Sequence, residues 1–314
     1  MVNEKLRCMD KKYDFLSIGP ISLDYNIDYL DNEVLEIGGA VTYSPAGAQA
    51  LGYTAGVVTK LMPGDLGRLS KLTVASDDIY CRPSRCSTSI RNKFFTADKE
   101  RRECFSLSRC DAFEIDDIPS CESKIYHFGG LVYGDIPESM IEVIKLRGKT
   151  AVDVQGFLRH ADIVSGRMEF KDWQTKKEIL PHIDYFKTDA AEAEILTGSN
   201  DRISAAKQFV DWGAKEVVLT HNTEVIAFDG NSIYKVPIKA RNLSGRSGRG
   251  DTTFAAYVCE RINSNAQTAL LYATACVSLK MENPGPIRCD RASIIKYINE
   301  IYGITDIDSF DGKY

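Results

Sequence analysis

Short apolar runs alternate with amphipathic segments along most of the chain. "YDFLSIG" (13–19), "TAGVVTK" (54–60), "KIYHFGG" (124–130), "KTAVDVQ" (149–155), "DYFKTD" (184–189) and "KEVVLTH" (215–221) have strand length and few polar positions. That is the pattern of strands covered on both faces. Between several of them, "PESMIEVIKLRG", "WQTKKEILPHI" and "DRISAAKQFVDWG" place apolar residues at helical spacing. Pro137 suits a first turn, and Gly148 and Gly213 suit stops. The alternation predicts right-handed crossovers and an α/β body, a mostly parallel sheet with helices on both faces. From Asp251 onward, helices are expected over 251–263, 266–282 and 291–302.

Two stretches break this rhythm. "LDYNIDYLDNEVLEIGG" (23–39) sets Tyr25, Ile27 and Tyr29 against polar neighbours before a turn, and "STSIRNKFFTADKERRECFSLSR" (87–109) reads as two strands around a charged turn. Such two-sided strands suit a small antiparallel sheet. They predict a discontinuous lid, about 23–39 and 87–109, on a single domain spanning 1–314. The Tyr25/Ile27/Tyr29 stripe suits either a homodimer contact through the lid or a wall of the pocket.

Composition narrows the function. The chain has 314 residues, a net charge of −5 and a hydrophobic share of 44%. Nucleic acid as main partner is disfavoured, because a phosphate backbone demands a basic face. No apolar run is long enough to span a bilayer, and the first residues lack a signal-peptide core, so a cytoplasmic protein is expected. Nine cysteines at irregular spacing, without a CxxC pair, predict free thiols and no zinc site.

Candidate chemistry concentrates in "SGRSGRGDTTFAAYV". Gly245, Gly248 and Gly250 precede Asp251 at the start of a helical pattern. The first-turn N–H groups of a helix have no internal partners, and the dipole adds positive charge there. Glycine lets that backbone close around a phosphate. Asp251 is either an N-cap alone or a carboxylate beside an anion cradle, able to take a hydroxyl proton. A Walker A loop is ruled out, since Asp-Thr follows the last glycine, and so is a dinucleotide fingerprint, since "SIGPISLD" has only Gly19.

Gly248-Arg249-Gly250-Asp251 followed by Thr-Thr-Phe resembles the signature of the ribokinase-like, or PfkB-type, carbohydrate kinases. "LSIGPISLDYN", "IGGAVTYSPAGAQALGYTAGVVTKLMPGD" and "DYFKTDAAEAEILTG" extend the resemblance over nearly the whole chain. The resemblance implies a Rossmann-like body with a β lid and ATP-dependent phosphorylation of an alcohol. It makes Asp251 the general base and residues 248 to 250 the anion hole, with Asp24, Gly38 and Gly39 at the substrate hydroxyls. Glu192 would organise Mg²⁺, with Asp189, Thr220, Gly248, Asn283 and Gly285 along the nucleotide. "AVDVQGFLR", "LKMENPGPI" and "IGGAVTYS" resemble the myo-inositol kinase branch, which implies a sugar or cyclic polyol as substrate, with myo-inositol favoured.

The chain departs from the family pattern in three places. Gly245 stands where an aspartate is usual, which puts a monovalent-cation site in doubt. Arg249 replaces a small residue, and either adds charge at the transition state or points to solvent or an interface, the second being favoured because the hole is made of backbone. Asp189 replaces an asparagine. Asp153, Gln155 and Arg159 face either substrate and phosphates or a turn and a surface ion pair. "ADKERRE" (97–103) reads as a solvated hairpin turn, with an anion contact from Arg101 or Arg102 as the alternative. His127 and His221 read as structural. The competing functions are a ribokinase-, fructokinase- or nucleoside-type kinase and a catalytically silent relative that binds a sugar or nucleotide and regulates a partner.

Overall fold

The computed structural model describes residues 11–96 and 101–307. Strands are numbered in chain order: β1 (Lys12–Ile18), β2 (Ser22–Ile27), β3 (Glu33–Gly38), β4 (Ala55–Leu61), β5 (Ile79–Pro83), β6 (Thr88–Phe94), β7 (Arg102–Ser108), β8 (Glu122–Phe128), β9 (Lys149–Asp153), β10 (Arg159–Ala161), β11 (Met168–Phe170), β12 (Tyr185–Asp189), β13 (Glu216–Thr220), β14 (Glu224–Phe228) and β15 (Ile233–Pro237). The main sheet runs β15-β14-β13-β12-β9-β8-β1-β4-β5. From β13 to β5 every neighbour is parallel, while β14 and β15 add an antiparallel edge.

Consecutive strand residues point to opposite faces, and the core divides accordingly. Phe15, Val57 and Val218 belong to one buried layer with Phe254, Tyr257 and Leu270. Their neighbours Leu16, Val58 and Val217 belong to the other, with Phe157, Trp173 and Phe209. Both faces are covered, as the near-continuous apolar strands require.

The helices Glu138–Ile144, Arg202–Asp211, Arg249–Glu260, Ala266–Met281 and Arg291–Tyr297 fall where expected. The segment 173–183 does not form one helix. Only Lys176–Ile179 is α-helical, and Pro181 follows in a 3-10 turn, since proline in a helix interior removes a donor and clashes with the preceding turn. Helix Ala40–Ala50 escapes a propensity reading because Pro45 lies inside it.

The lid is a sheet of order β3-β2-β6-β7. Its two hairpins are antiparallel as expected, but β2 and β6 pair in parallel, which makes the lid mixed rather than purely antiparallel. Each hairpin's first strand leaves the body in the same direction, which leaves no antiparallel option at that seam. A second ribbon, β10 with β11, joins the lid through a bridge between Phe105 and Arg167. The lid turn at 97–100 lies outside the described residues. Among the described residues no helix is long and apolar enough to cross a membrane.

Candidate active site

A cavity of about 630 Å³ opens at the C-terminal edges of β9, β12 and β13, beneath β6 and β7. Open α/β sheets place ligands there, because strand ends and helix starts deliver side chains and N–H groups to one rim.

Helix Arg249–Glu260 begins on this rim. Its N-cap, Gly248, has φ 74, a left-handed conformation that disfavours any side chain. A Cβ there would fall 2.1 Å from the Tyr43 ring, so the glycine loop rests on that aromatic side chain. Gly248→Ala is expected to cost about 1–2 kcal/mol from the backbone alone and to weaken phosphate-donor binding. Urea unfolding and donor KM check the two effects.

Asp251 sits in the first turn of this helix, ringed by protein yet lining the cavity. Burial and the charge of Asp153 push its carboxyl up to about 6, against the pull of Lys187, Arg159 and Lys280. A carboxylate of that character accepts a proton near neutrality better than an exposed aspartate.

Lys187 is the principal cavity residue that the motif reading misses. Its Nζ contacts Asp153 at 2.9 and 3.1 Å, with both side chains buried. A Cβ on Gly250 would lie 3.3 Å from the same Nζ, which places the ammonium against the first turn of helix Arg249–Glu260. Burial alone would lower this lysine, but Asp153, Glu192, Asp189 and Asp251 outweigh it and hold the ammonium charged.

Asp189 and Glu192 form a capping box at the start of helix Ala190–Thr197. The Glu192 N–H donates to Asp189 Oδ1 and the Asp189 N–H to Glu192 Oε2, each at 2.8 Å. Glu192 is buried, and its carboxyl is pushed up to about 7 by burial and then by Asp189 and Asp153, despite Lys187.

On the lid, register puts Asp24 opposite Glu36 and Ile90, and Asn26 opposite Asn92. Ser22 Oγ donates to Asp24 Oδ1 at 2.6 Å, and burial pushes the Asp24 carboxyl up, with Arg102 and Arg159 pulling it back. On the same face runs a polar ladder: Cys104 Sγ to Asn92 Oδ1 at 3.1 Å, Asn92 Nδ2 to Asn26 Oδ1 at 2.9 Å, and Asn26 Nδ2 to Glu36 Oε2 at 2.8 Å. Tyr25 and Ile27 alternate with these residues and take the opposite face. Gly38 admits Asp24 so closely that a Cβ would meet its Oδ2 at 2.3 Å, and Gly39 caps helix Ala40–Ala50.

Of the residues expected at the site, Asp153, Gln155, Arg159, Asp189, Glu192, Thr220, Gly248, Arg249, Gly250 and Asp251 line one cavity. Arg159 is buried against the Phe170 ring, 5.5 Å away, rather than paired at the surface. Arg249 faces the cavity rather than bulk solvent. Arg102, exposed at the start of β7, also lines it, as the alternative for that stretch has it, together with Phe94, Arg246 and Lys187. Asp24, Gly38 and Gly39 are not among its lining residues; Asp24 is near enough for Arg102 and Arg159, which are, to act on its carboxyl, and Gly38 packs on Asp24. Asn283 and Gly285 are not among its lining residues: the end of helix Ala266–Met281 packs against Gly245, whose N–H bonds the Met281 carbonyl at 2.8 Å. His127 is fully buried, stacked on Phe15 and hydrogen-bonded to Ser17 at 3.0 Å, and burial pushes it down to about 4, so it is a neutral core residue.

A family model for the pfkB family carbohydrate kinases matches residues 71–292. The chain belongs to that family. Its fold is ribokinase-like, and it is a carbohydrate or polyol kinase. A solved pyrophosphate-dependent kinase of the ribokinase family, complexed with a pyrophosphate analog and myo-inositol, is 32% identical, with a TM-score of 0.81 over 90% of this chain and all of its own. The ATP-dependent 6-phosphofructokinase of Thermoanaerobacterium thermosaccharolyticum is 23% identical over 99% of this chain and 97% of its own length. The Arabidopsis thaliana ribokinase complexed with ribose and ATP shares the fold at a TM-score of 0.71 and 17% identity, covering 92% of this chain and 99% of its own.

Proposed function

We propose that this pfkB-family kinase transfers a terminal phosphoryl group to one hydroxyl of a cyclic polyol, with myo-inositol the leading acceptor. The observation that carries the reading is the meeting of Asp251, Lys187 and the N-terminus of helix Arg249–Glu260 in a single cavity. Asp251 takes the proton of the acceptor hydroxyl as its oxygen forms a bond to the terminal phosphorus. The bridging P–O bond breaks, and the remainder of the donor leaves with the electron pair. N–H groups of 248 to 250 and the Lys187 ammonium hold the charge on the transferring group. The polar lid face with Asp24, Asn26 and Asn92 receives the acceptor's other hydroxyls and excludes water.

For the donor, inorganic pyrophosphate is favoured over ATP. Arg102, Arg159, Lys187, Arg246 and Arg249 line the cavity, whereas Asn283 and Gly285, assigned to an adenine site by resemblance, are not among its lining residues. The 32% identical relative is a pyrophosphate-dependent kinase. ATP is the second reading, favoured by the full-length likeness to an ATP-dependent enzyme.

Mg²⁺ fits the acidic corner. Glu192 and Asp189 are adjacent oxygen donors on the cavity wall, and burial, opposed by Lys187, raises the Glu192 carboxyl, so a bound cation would favour its ionised form. Among the described residues no group of three or more His, Cys, Asp or Glu side chains forms a ready metal cluster. Glu192 and Asp189 would therefore hold the ion together with water and donor oxygens, and the ion would neutralise donor charge.

Phosphorus NMR of reactions pairing pyrophosphate or ATP with a panel of polyols and sugars tests the reading. Orthophosphate together with an inositol monophosphate is expected from pyrophosphate and myo-inositol. Ligand binding with no turnover on any pair would instead favour a regulatory sugar- or nucleotide-binding protein.

A further inference from the structure

Lys280 lies in the last turn of helix Ala266–Met281 and is 1% exposed. A buried ammonium costs several kcal/mol unless it has partners. Here the hydrogen-bonded partner is a backbone carbonyl, not a carboxylate: Nζ donates to the Gly245 oxygen at 2.6 Å. The same ammonium stands 5.5 Å from the centre of the Tyr43 ring. Burial pulls it down to about 8, opposed by Glu36 of the lid and by Asp251. Lid, anion loop and catalytic helix thus converge on one internal cation.

The loop is built to meet it. A Cβ on Gly245 would fall 1.8 Å from the Asn283 carbonyl oxygen and 3.0 Å from that of Lys280, so only glycine lets the loop lie against the end of this helix. Ser244 Oγ adds a bond to the Glu282 carbonyl at 2.6 Å. The helix end carries partial negative charge, which favours a cation there. Since the peptide is planar and trans, holding the Gly245 carbonyl toward Lys280 turns the Arg246 N–H to the opposite side. Tyr43, with the ammonium near its ring, is also the surface on which Gly248 rests.

We propose that the Lys280 ammonium is a tethered monovalent cation. It is a positioning residue that fixes the Gly245 carbonyl and, through Tyr43 and Gly248, the N–H groups of 248 to 250, so that phosphoryl transfer needs no exchangeable monovalent ion. The proposal rests on the kinase reading of the same site. It also accounts for a glycine at 245: a carboxylate there has no room, and the cation it would help to hold is supplied by the chain.

The test uses the full chain in buffers whose only monovalent cation is tetramethylammonium, sodium, potassium or ammonium. Wild-type turnover is expected to be the same in all four. Lys280→Ala is expected to lower kcat about 10–100-fold with little change in acceptor KM, and ammonium or potassium, but not tetramethylammonium, restores part of the loss. A wild-type enzyme that requires potassium or ammonium overturns the proposal. So does a Lys280→Ala enzyme with normal kcat, or one whose deficit no small cation moves. Lys280→Met fills the space and is expected to lose activity without rescue; wild-type kcat in that variant overturns the proposal even if the alanine variant fails to fold. Calorimetry with pyrophosphate alone separates the two readings. If wild type binds pyrophosphate but transfers nothing, the kinase reading fails, and the loop proposal then stands or falls on whether Lys280→Ala weakens that binding in a potassium-restorable way.

Discussion

Asp251→Asn is expected to lower kcat by roughly 10²-fold or more while leaving donor affinity near the wild-type value. The amide keeps the shape of the carboxylate at the head of helix Arg249–Glu260 but cannot accept the acceptor's proton. The cradle of 248 to 250 is backbone, and Lys187 keeps its partner Asp153, so donor binding has no reason to fail. Single-turnover rates and donor binding, measured together, check this. A variant that turns over like wild type would remove Asp251 from the chemistry.

The same carboxyl sets a pH signature. Its folded value of about 6 lies above the ordinary 3.8, from burial and the charge of Asp153. Below pH 6 the base is protonated and silent, so kcat/KM is expected to climb as pH rises through 6. Stability moves the other way. A raised carboxyl binds its proton more tightly when folded, so its contribution is full below about 3.8 and is lost as pH rises through 6. At pH 7–8 the ionised group is a burden that asparagine removes. Asp251→Asn should therefore melt above wild type at pH 8, with the gap shrinking toward pH 4. Equal melting at both pH values would mean that the carboxylate is well solvated and not the tuned base described here.

Periodicity reveals the layers of this fold because the strands are continuous apolar runs whose alternate residues, such as Phe15 and Leu16, must enter different cores. The signature at 248 to 251 is legible for a local reason: a left-handed glycine and a helix start impose sequence on adjacent residues. The parallel seam between β2 and β6 is not local, since it joins segments separated by the whole of β4 and β5. Lys187 is hidden in the same way. Within "DYFKTD" it looks like a polar lapse in a strand, although a lysine inside such a run signals a buried partner. That partner, Asp153, becomes visible only once β12 is known to lie beside β9, where the two residues are in register. Lys280 reads as an ordinary basic residue in a last helical turn, and nothing in its neighbours points to Gly245.

The second large effect is expected at that hidden pair. Lys187→Met leaves Asp153 buried without its ion partner, and breaking such a pair costs about 3–5 kcal/mol. It also removes the ammonium beside the anion hole, so donor KM should rise and kcat fall together. The two consequences separate in a double variant. Lys187→Met with Asp153→Leu removes both charges, and apolar replacement of a buried pair is often neutral for stability. Urea unfolding should therefore return close to wild type while phosphoryl transfer stays lost. That divergence is expected if Lys187 acts on the phosphate as well as on Asp153, and Asp153→Leu alone, which keeps the ammonium, separates the loss of Lys187 from the loss of the charge beside Asp251. Transfer regained along with stability in the double variant would reduce the lysine to a structural counter-ion and return the charge stabilisation to the arginines and the helix N-terminus alone.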